Sequence, residues 1–123
     1  MSNYCDVNMT VKHFPIDNID DLTEFMYGND EYDFAFAFNE SQPEVYGEDI
    51  CFFGMNPINR GIAWEDMEKL SEKFPDATFL LDSKDEFGEQ WREYWRNGKM
   101  ASYTPEIVWP EFDENDLKEV TSY

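Results

Sequence analysis

The chain has 123 residues, 41% of them hydrophobic and 18% aromatic, which suits one domain with a sizeable core and argues against global disorder. Its 28 acidic residues against 9 basic ones give a net charge of −19. That excludes direct nucleic-acid binding through a basic patch and disfavours anionic membranes, leaving a basic partner.

No apolar run approaches the roughly 20 residues that span a bilayer. The opening, MSNYCDVNM, lacks the basic and apolar regions of a secretory signal. Cys5 and Cys51 form no CxxC pair, and two isolated cysteines suggest reduced core thiols. The expectation is a cytoplasmic protein.

In chain order, YCDVNMTVKHF alternates with period two, placing Cys5, Val7, Met9 and Val11 on one face of a half-buried strand. PIDNIDDLTEFMYG predicts a helix capped by Asp17 or Asn18 and stopped at Gly28, with Ile19, Leu22, Phe25 and Met26 inward. Asp20 and Asp21 fall in its first turn, where the helix dipole favours anions. YDFAFAFN alternates again and predicts a second strand with Phe34, Phe36 and Phe38 on one side. ESQPEVYGE reads as a loop, DICFFG as a central strand and MNPINRG as a turn-rich link.

IAWEDMEKLSEKFP predicts a second helix with Trp64, Met67, Leu70 and Phe74 inward. ATFLLDS is a strand, KDEFG a turn, and EQWREYWR a strand with Trp91, Glu93 and Trp95 opposite Arg92, Tyr94 and Arg96. Asn97-Gly98 is a type I′ hairpin signal, after which KMASY returns. The remainder, PEIVWPEFDENDLKEV, reads as a tail with a short helical turn capped by Asp113.

The order β-α-β-β-α-β predicts an α+β, ferredoxin-like antiparallel sheet with two helices on one face and an extra C-terminal hairpin. Residues 1–104 form that domain and 105–123 an acidic tail. In this reading strands one and three are parallel neighbours, which would bring Cys5 near Cys51.

The opening MSNYCDVNMTV, the KLSEKFPDATFLLD junction and DEFGEQWREYWRNGKM resemble the YubB-type ferredoxin-like proteins of phages and plasmids. Those carry an aromatic-Cys near the N-terminus, an LS-x-x-FP junction and a hairpin closing on Asn-Gly. The family's aromatic-Pro-Pro stretch is represented here only by FGMNPINRGIAW. The resemblance implies a fold and a mobile-element origin. It brings no catalytic residues and no cofactor. By composition the chain also resembles acidic DNA-mimic anti-defence proteins.

Catalysis has little to rest on. His13 is the single histidine, and no GxSxG or phosphate loop occurs. Any carboxylate pair is expected by chance among 28 acids. An EF-hand starting at Asp82 would have Lys84 at position 3 and Phe87 where glycine belongs. Two cysteines and one histidine cannot make a zinc site of ordinary spacing. The sequence therefore predicts neither an enzyme nor a metal protein.

Charge placement is more informative. From Phe14 to Asn59 there are eleven carboxylates and no Lys or Arg, and Tyr103–Leu117 adds five more acids. Duplex DNA carries one charge per roughly 1.7 Å, so nineteen charges match about 32 Å of duplex. A chain of this length is about 35 Å across. Carboxylates on a rigid scaffold could therefore stand where phosphates would.

The expected function is inhibition of a basic, nucleic-acid-binding host defence protein, a CRISPR effector or restriction enzyme, by occlusion of its channel. One acidic face comprises Asp20, Asp21, Glu24, Asp30, Glu31, Glu48 and Asp49. Another comprises Asp82, Asp85, Glu86, Glu111, Asp113, Glu114 and Asp116. Glu65, Glu68 and Glu72 are weaker candidates because Lys69 and Lys73 share their helix. The alternative is a protein-interaction module that uses an exposed sheet edge or the Trp91/Trp95 hairpin, with charge serving solubility.

Overall fold

The computed structural model describes residues 3–120. It is an α+β fold. Seven strands, β1 (Tyr4–Lys12), β2 (Glu44–Tyr46), β3 (Asp49–Phe52), β4 (Ile58–Asn59), β5 (Thr78–Asp85), β6 (Gln90–Arg96) and β7 (Lys99–Tyr103), form one sheet. Three helices, α1 (Ile19–Tyr27), α2 (Phe34–Ala37) and α3 (Trp64–Lys73), accompany it. The sheet order is β2-β3-β1-β5-β6-β7, with β4 also on β1, and every pairing is antiparallel.

The period-two strand is present as expected. Cys5, Val7, Met9 and Val11 are all fully buried. They pair with Asp85, Ser83, Leu81 and Phe79 of β5, and the last three of these lie level with Trp91, Glu93 and Trp95 of β6. Partners in an antiparallel ladder project to the same side, so these side chains share one buried face, apolar except for Ser83, Asp85 and Glu93. Leu22 and Met26 of α1, Phe34 and Ala37 of α2, and Met67 and Leu70 of α3 belong to the same buried cluster. Each of the Leu, Met and Phe side chains among them contributes about 1.5–3 kcal/mol by leaving water. Phe74, just past α3, meets Phe14 edge-on at 5.3 Å and Phe25 at 5.9 Å, tying the helix end to α1.

Three expectations fail in the middle of the chain. Phe34–Ala37 is helix, not strand, because Phe34 and Phe38 are buried four residues apart while Phe36 is 59% exposed. That is the spacing of one helix face. The second strand lies instead at Glu44–Tyr46, inside the stretch read as a loop, and turns into β3 through Gly47 at φ 63°. Strands β1 and β3 are antiparallel, with Thr10 opposite Cys51. Cys5 lies five positions away on β1, opposite Ile58 and Asp85. Both thiols are free. Burial, with Asp85, Asp6 and Glu86 nearby, pushes the Cys5 thiol upward.

The C-terminal hairpin forms as the Asn-Gly signal requires, with Asn97 at φ 47° and Gly98 at φ 76°. Beyond β7, residues 104–120 are exposed throughout. Within them a 3₁₀ turn at Glu114–Asp116 is capped by Asp113, whose Oδ1 accepts the Asn115 N–H at 2.9 Å.

Candidate functional site

Register sorts the charges. The helix-free face of the sheet carries Lys12, Lys84, Arg92, Arg96 and Lys99, because each alternates with or pairs beside an inward residue. Those are five of the nine basic residues. Asp82 and Asp49 are on this face too, and both are ion-paired: Arg92 Nε to Asp82 Oδ1 at 2.6 Å, and Lys12 Nζ to Asp49 Oδ2 at 3.0 Å. The Asp82 hydrogen bonds hold the Arg92 guanidinium above its ordinary range. This face has mixed charge.

The region around α1 is different. Asp20, Asp21, Glu24, Asp30 and Glu31 are all exposed. Glu48 joins Asp17 in lining a depression beside His13. Lys69 of α3 reaches the margin of this region, its Nζ 5.9 Å from the Tyr32 ring centroid. The acids of the first predicted face are thus solvent-facing, except that Asp49 is half-buried and paired with Lys12.

The second predicted face is not one face. Asp82 and Asp85 stand three positions apart on a strand, so they point to opposite sides. Asp85 is only 5% exposed. Its Oδ1 accepts the N–H groups of Phe87 at 2.9 Å and Glu89 at 2.8 Å, which shapes the turn into β6. It therefore offers no free anion to a partner. Glu86 is exposed on that turn, while Glu111, Asp113, Glu114 and Asp116 belong to the exposed tail.

The tryptophans of the hairpin turn inward. Trp95 is 3% exposed and Trp91 half-buried. Their indole N–H groups both donate to Glu93, Trp91 to Oε2 at 3.0 Å and Trp95 to Oε1 at 2.8 Å. Glu93 is a buried carboxylate that sequence reasoning placed beside the tryptophans without giving it a role. The signal was the Trp-x-Glu-x-Trp spacing, which puts all three on one side of a strand. Trp64, expected inward, is 59% exposed at the first position of α3. The large apolar side chains that do stand in solvent include Ile107, Trp109 and Phe112 of the tail.

Two further acids cross-link elements. Asp66 Oδ2 accepts the Asp33 N–H, and Asp33 Oδ2 accepts the Ala63 N–H, each at 3.0 Å. Burial pushes the Asp66 carboxyl above its ordinary range, opposed by the hydrogen bond from Asp33.

Among the described residues, no three His, Cys, Asp or Glu side chains are grouped so as to hold a metal ion. Among the same residues, no helix is long and apolar enough to cross a membrane. Comparison with protein-family models, curated proteins and solved structures finds no match to this chain.

Proposed function

We propose that this chain is an acidic inhibitor, encoded by a phage or plasmid, that occupies the basic nucleic-acid channel of a host defence protein. The target class is a CRISPR effector or a restriction enzyme. One observation carries the reading: the carboxylates around α1 are exposed and lie in a stretch without Lys or Arg, while most cations sit on the far face of the sheet. An even distribution would serve solubility equally well, so the segregation favours a directed field. The element order, with α1 between β1 and β2 and α3 between β3 and β5, supports a ferredoxin-like arrangement extended by β6 and β7.

The binding surface consists of Asp20, Asp21, Glu24, Asp30, Glu31 and Glu48, with the tail acids Glu111, Asp113, Glu114 and Asp116 as a second strip. The test is capture of bacterial lysate proteins on the immobilised chain at low and then moderate salt, with duplex DNA as competitor. Basic nucleic-acid-binding proteins should be retained, released by DNA, and lost steeply as salt rises. A D20K/D21K/E24K/E31K variant should retain far less than any single change. Retention that ignores both DNA and salt would sink the reading.

A second reading has its own support. Ile107, Trp109 and Phe112 are exposed beside the tail acids, a composition suited to an apolar groove with a basic rim. In that case the interaction module is the tail, since the Trp91 and Trp95 indoles are bound to Glu93.

A further inference from the structure

A pocket of about 480 Å³ lies between the loop that leads into α3 and the helix-side face of β5–β7. Leu81, Ser83, Glu93 and Trp91 of the sheet line it, with Asp33 and Trp64 from the other side. Its size falls in the ordinary range of ligand sites.

Glu93 is the unusual member. It is 4% exposed, and no cation lies within 4.0 Å of it among the described residues, where the ion pairs are Lys12–Asp49 and Arg92–Asp82. A carboxylate has about four acceptor positions, and the two indole N–H groups fill two of them. A buried charge with neutral donors alone retains much of its desolvation cost. Asp33 adds a second carboxylate to the lining. Arg60, exposed on the loop at φ 66°, also lines the pocket, yet it forms no ion pair with either acid.

We propose that this pocket receives an arginine side chain presented by a protein partner. A guanidinium is planar and weakly hydrated, stacks on indole faces and donates in a fork that fits a carboxylate. Trp64, 59% exposed, supplies an apolar rim where the rest of a partner surface would land. The net charge of −19 favours approach by a basic partner. The proposal stands apart from the acidic surface around α1, none of whose carboxylates lines the pocket.

The four tryptophans give four indole N–H resonances in a ¹⁵N correlation spectrum, and two of those protons are bound to Glu93. N-acetyl-arginine methylamide is the probe. It should shift the Trp91 and Trp95 indole signals saturably, and N-acetyl-citrulline methylamide, the neutral isostere, should not. Glu93→Gln and Trp64→Ala should each weaken the response several-fold, Arg60→Ala should strengthen it, and D20N/D21N/E24Q should leave it unchanged. If Glu93→Gln fails to fold, the citrulline comparison and Trp64→Ala still decide. No saturable shift at concentrations that fill a site of about 1 mM affinity, or an equal shift with citrulline, overturns the proposal. Tighter binding of free arginine than of the blocked probe would also overturn it, since a free amino acid would then be the ligand. Loss of the response in D20N/D21N/E24Q would reduce it to the chain's general field.

Discussion

Asp33 and Asp66 hold the start of α3 from both directions: Asp66 Oδ2 accepts the Asp33 N–H, and Asp33 Oδ2 accepts the Ala63 N–H, each at 3.0 Å. Ala63 occupies the cap position and has no side-chain acceptor of its own. A carboxylate 30 residues earlier in sequence accepts the cap residue's own N–H, the role that a Glu or Gln in the first turn fills in a capping box. Asp33→Ala should therefore cost about 1 kcal/mol in urea denaturation.

The same pair gives a pH signature. The folded-state pKa of Asp66 is raised by burial, so the native state holds this proton more tightly than the unfolded chain. The resulting contribution is fully present below the unfolded pKa near 3.8 and is lost as pH rises through the higher folded value. Asp66→Asn cannot titrate. Its stability relative to the parent should rise with pH across that window and then level off. A constant difference between the two proteins from acid to neutral pH would contradict this assignment.

Glu93 predicts a different kind of loss. Glu93→Ala leaves the Trp91 and Trp95 N–H groups without their acceptor, next to the pocket. Hydrogen bonds to charged groups are worth about 1.5–3 kcal/mol each, so the variant should lose about 3 kcal/mol. Glu93→Gln, which keeps an oxygen for one indole, should lose less. Denaturation curves with tryptophan fluorescence would read both stability and indole environment. Equal stability of the Ala variant and the parent would refute the role.

How much of this was legible beforehand depended on which signal each residue carries. The strands β1 and β6 announce themselves through period two, and the β6–β7 turn through Asn97-Gly98. Phe34, Phe36 and Phe38 carry the same alternation but fold as helix, because Ala35 and Ala37 suit a helix as readily as a strand. Tertiary packing of Phe34 and Phe38 then decides. β2 could not be seen because Glu44, Val45 and Tyr46 are all exposed on an edge, so no buried alternation marks them. The antiparallel direction of β1 and β3 separates Cys5 from Cys51, whatever their spacing suggests. Among 28 acids, composition could not mark Asp85, Glu93 and Asp66 as the buried ones. Strand register selects the first two and the contact between α3 and Asp33 the third.

Gly54 marks where β3 and β4 share one side of β1. β3 pairs with Met9–Val11 and β4 with Tyr4 and Cys5, and Gly54 crosses the gap between them. A Cβ built on Gly54 would lie 2.2 Å from the Val7 carbonyl oxygen, and its N–H donates to Asn8 Oδ1 at 2.8 Å. The obstacle is backbone of the central strand, so it cannot swing aside. Gly54→Ala should destabilise by at least the roughly 1–3 kcal/mol typical of overpacking. Gly47→Ala meets nothing within 4 Å and strains only its positive φ, so it should cost less. Thermal unfolding of the two variants side by side would check the order, and a milder Gly54→Ala would contradict the close approach.

The tail separates folding from binding. Residues 105–120 are exposed throughout, and Trp109 is 84% exposed. Side chains this exposed contribute little to stability, and surface changes usually fall within about 0.5 kcal/mol. A chain ending at Thr104 should therefore unfold at nearly the same denaturant concentration as the full chain. Trp109→Ala with Phe112→Ala should be equally neutral for folding. Partner capture discriminates between the two functional readings. If the acids around α1 carry recognition, the shortened chain should retain most of its basic partners and D20K/D21K/E24K/E31K should lose them. If the tail docks in an apolar groove, truncation should abolish capture and the charge reversals should only slow it, because rim charges act mainly on association rate. A marked drop in stability on truncation would mean that the tail packs on the domain, which would remove the basis for the second reading.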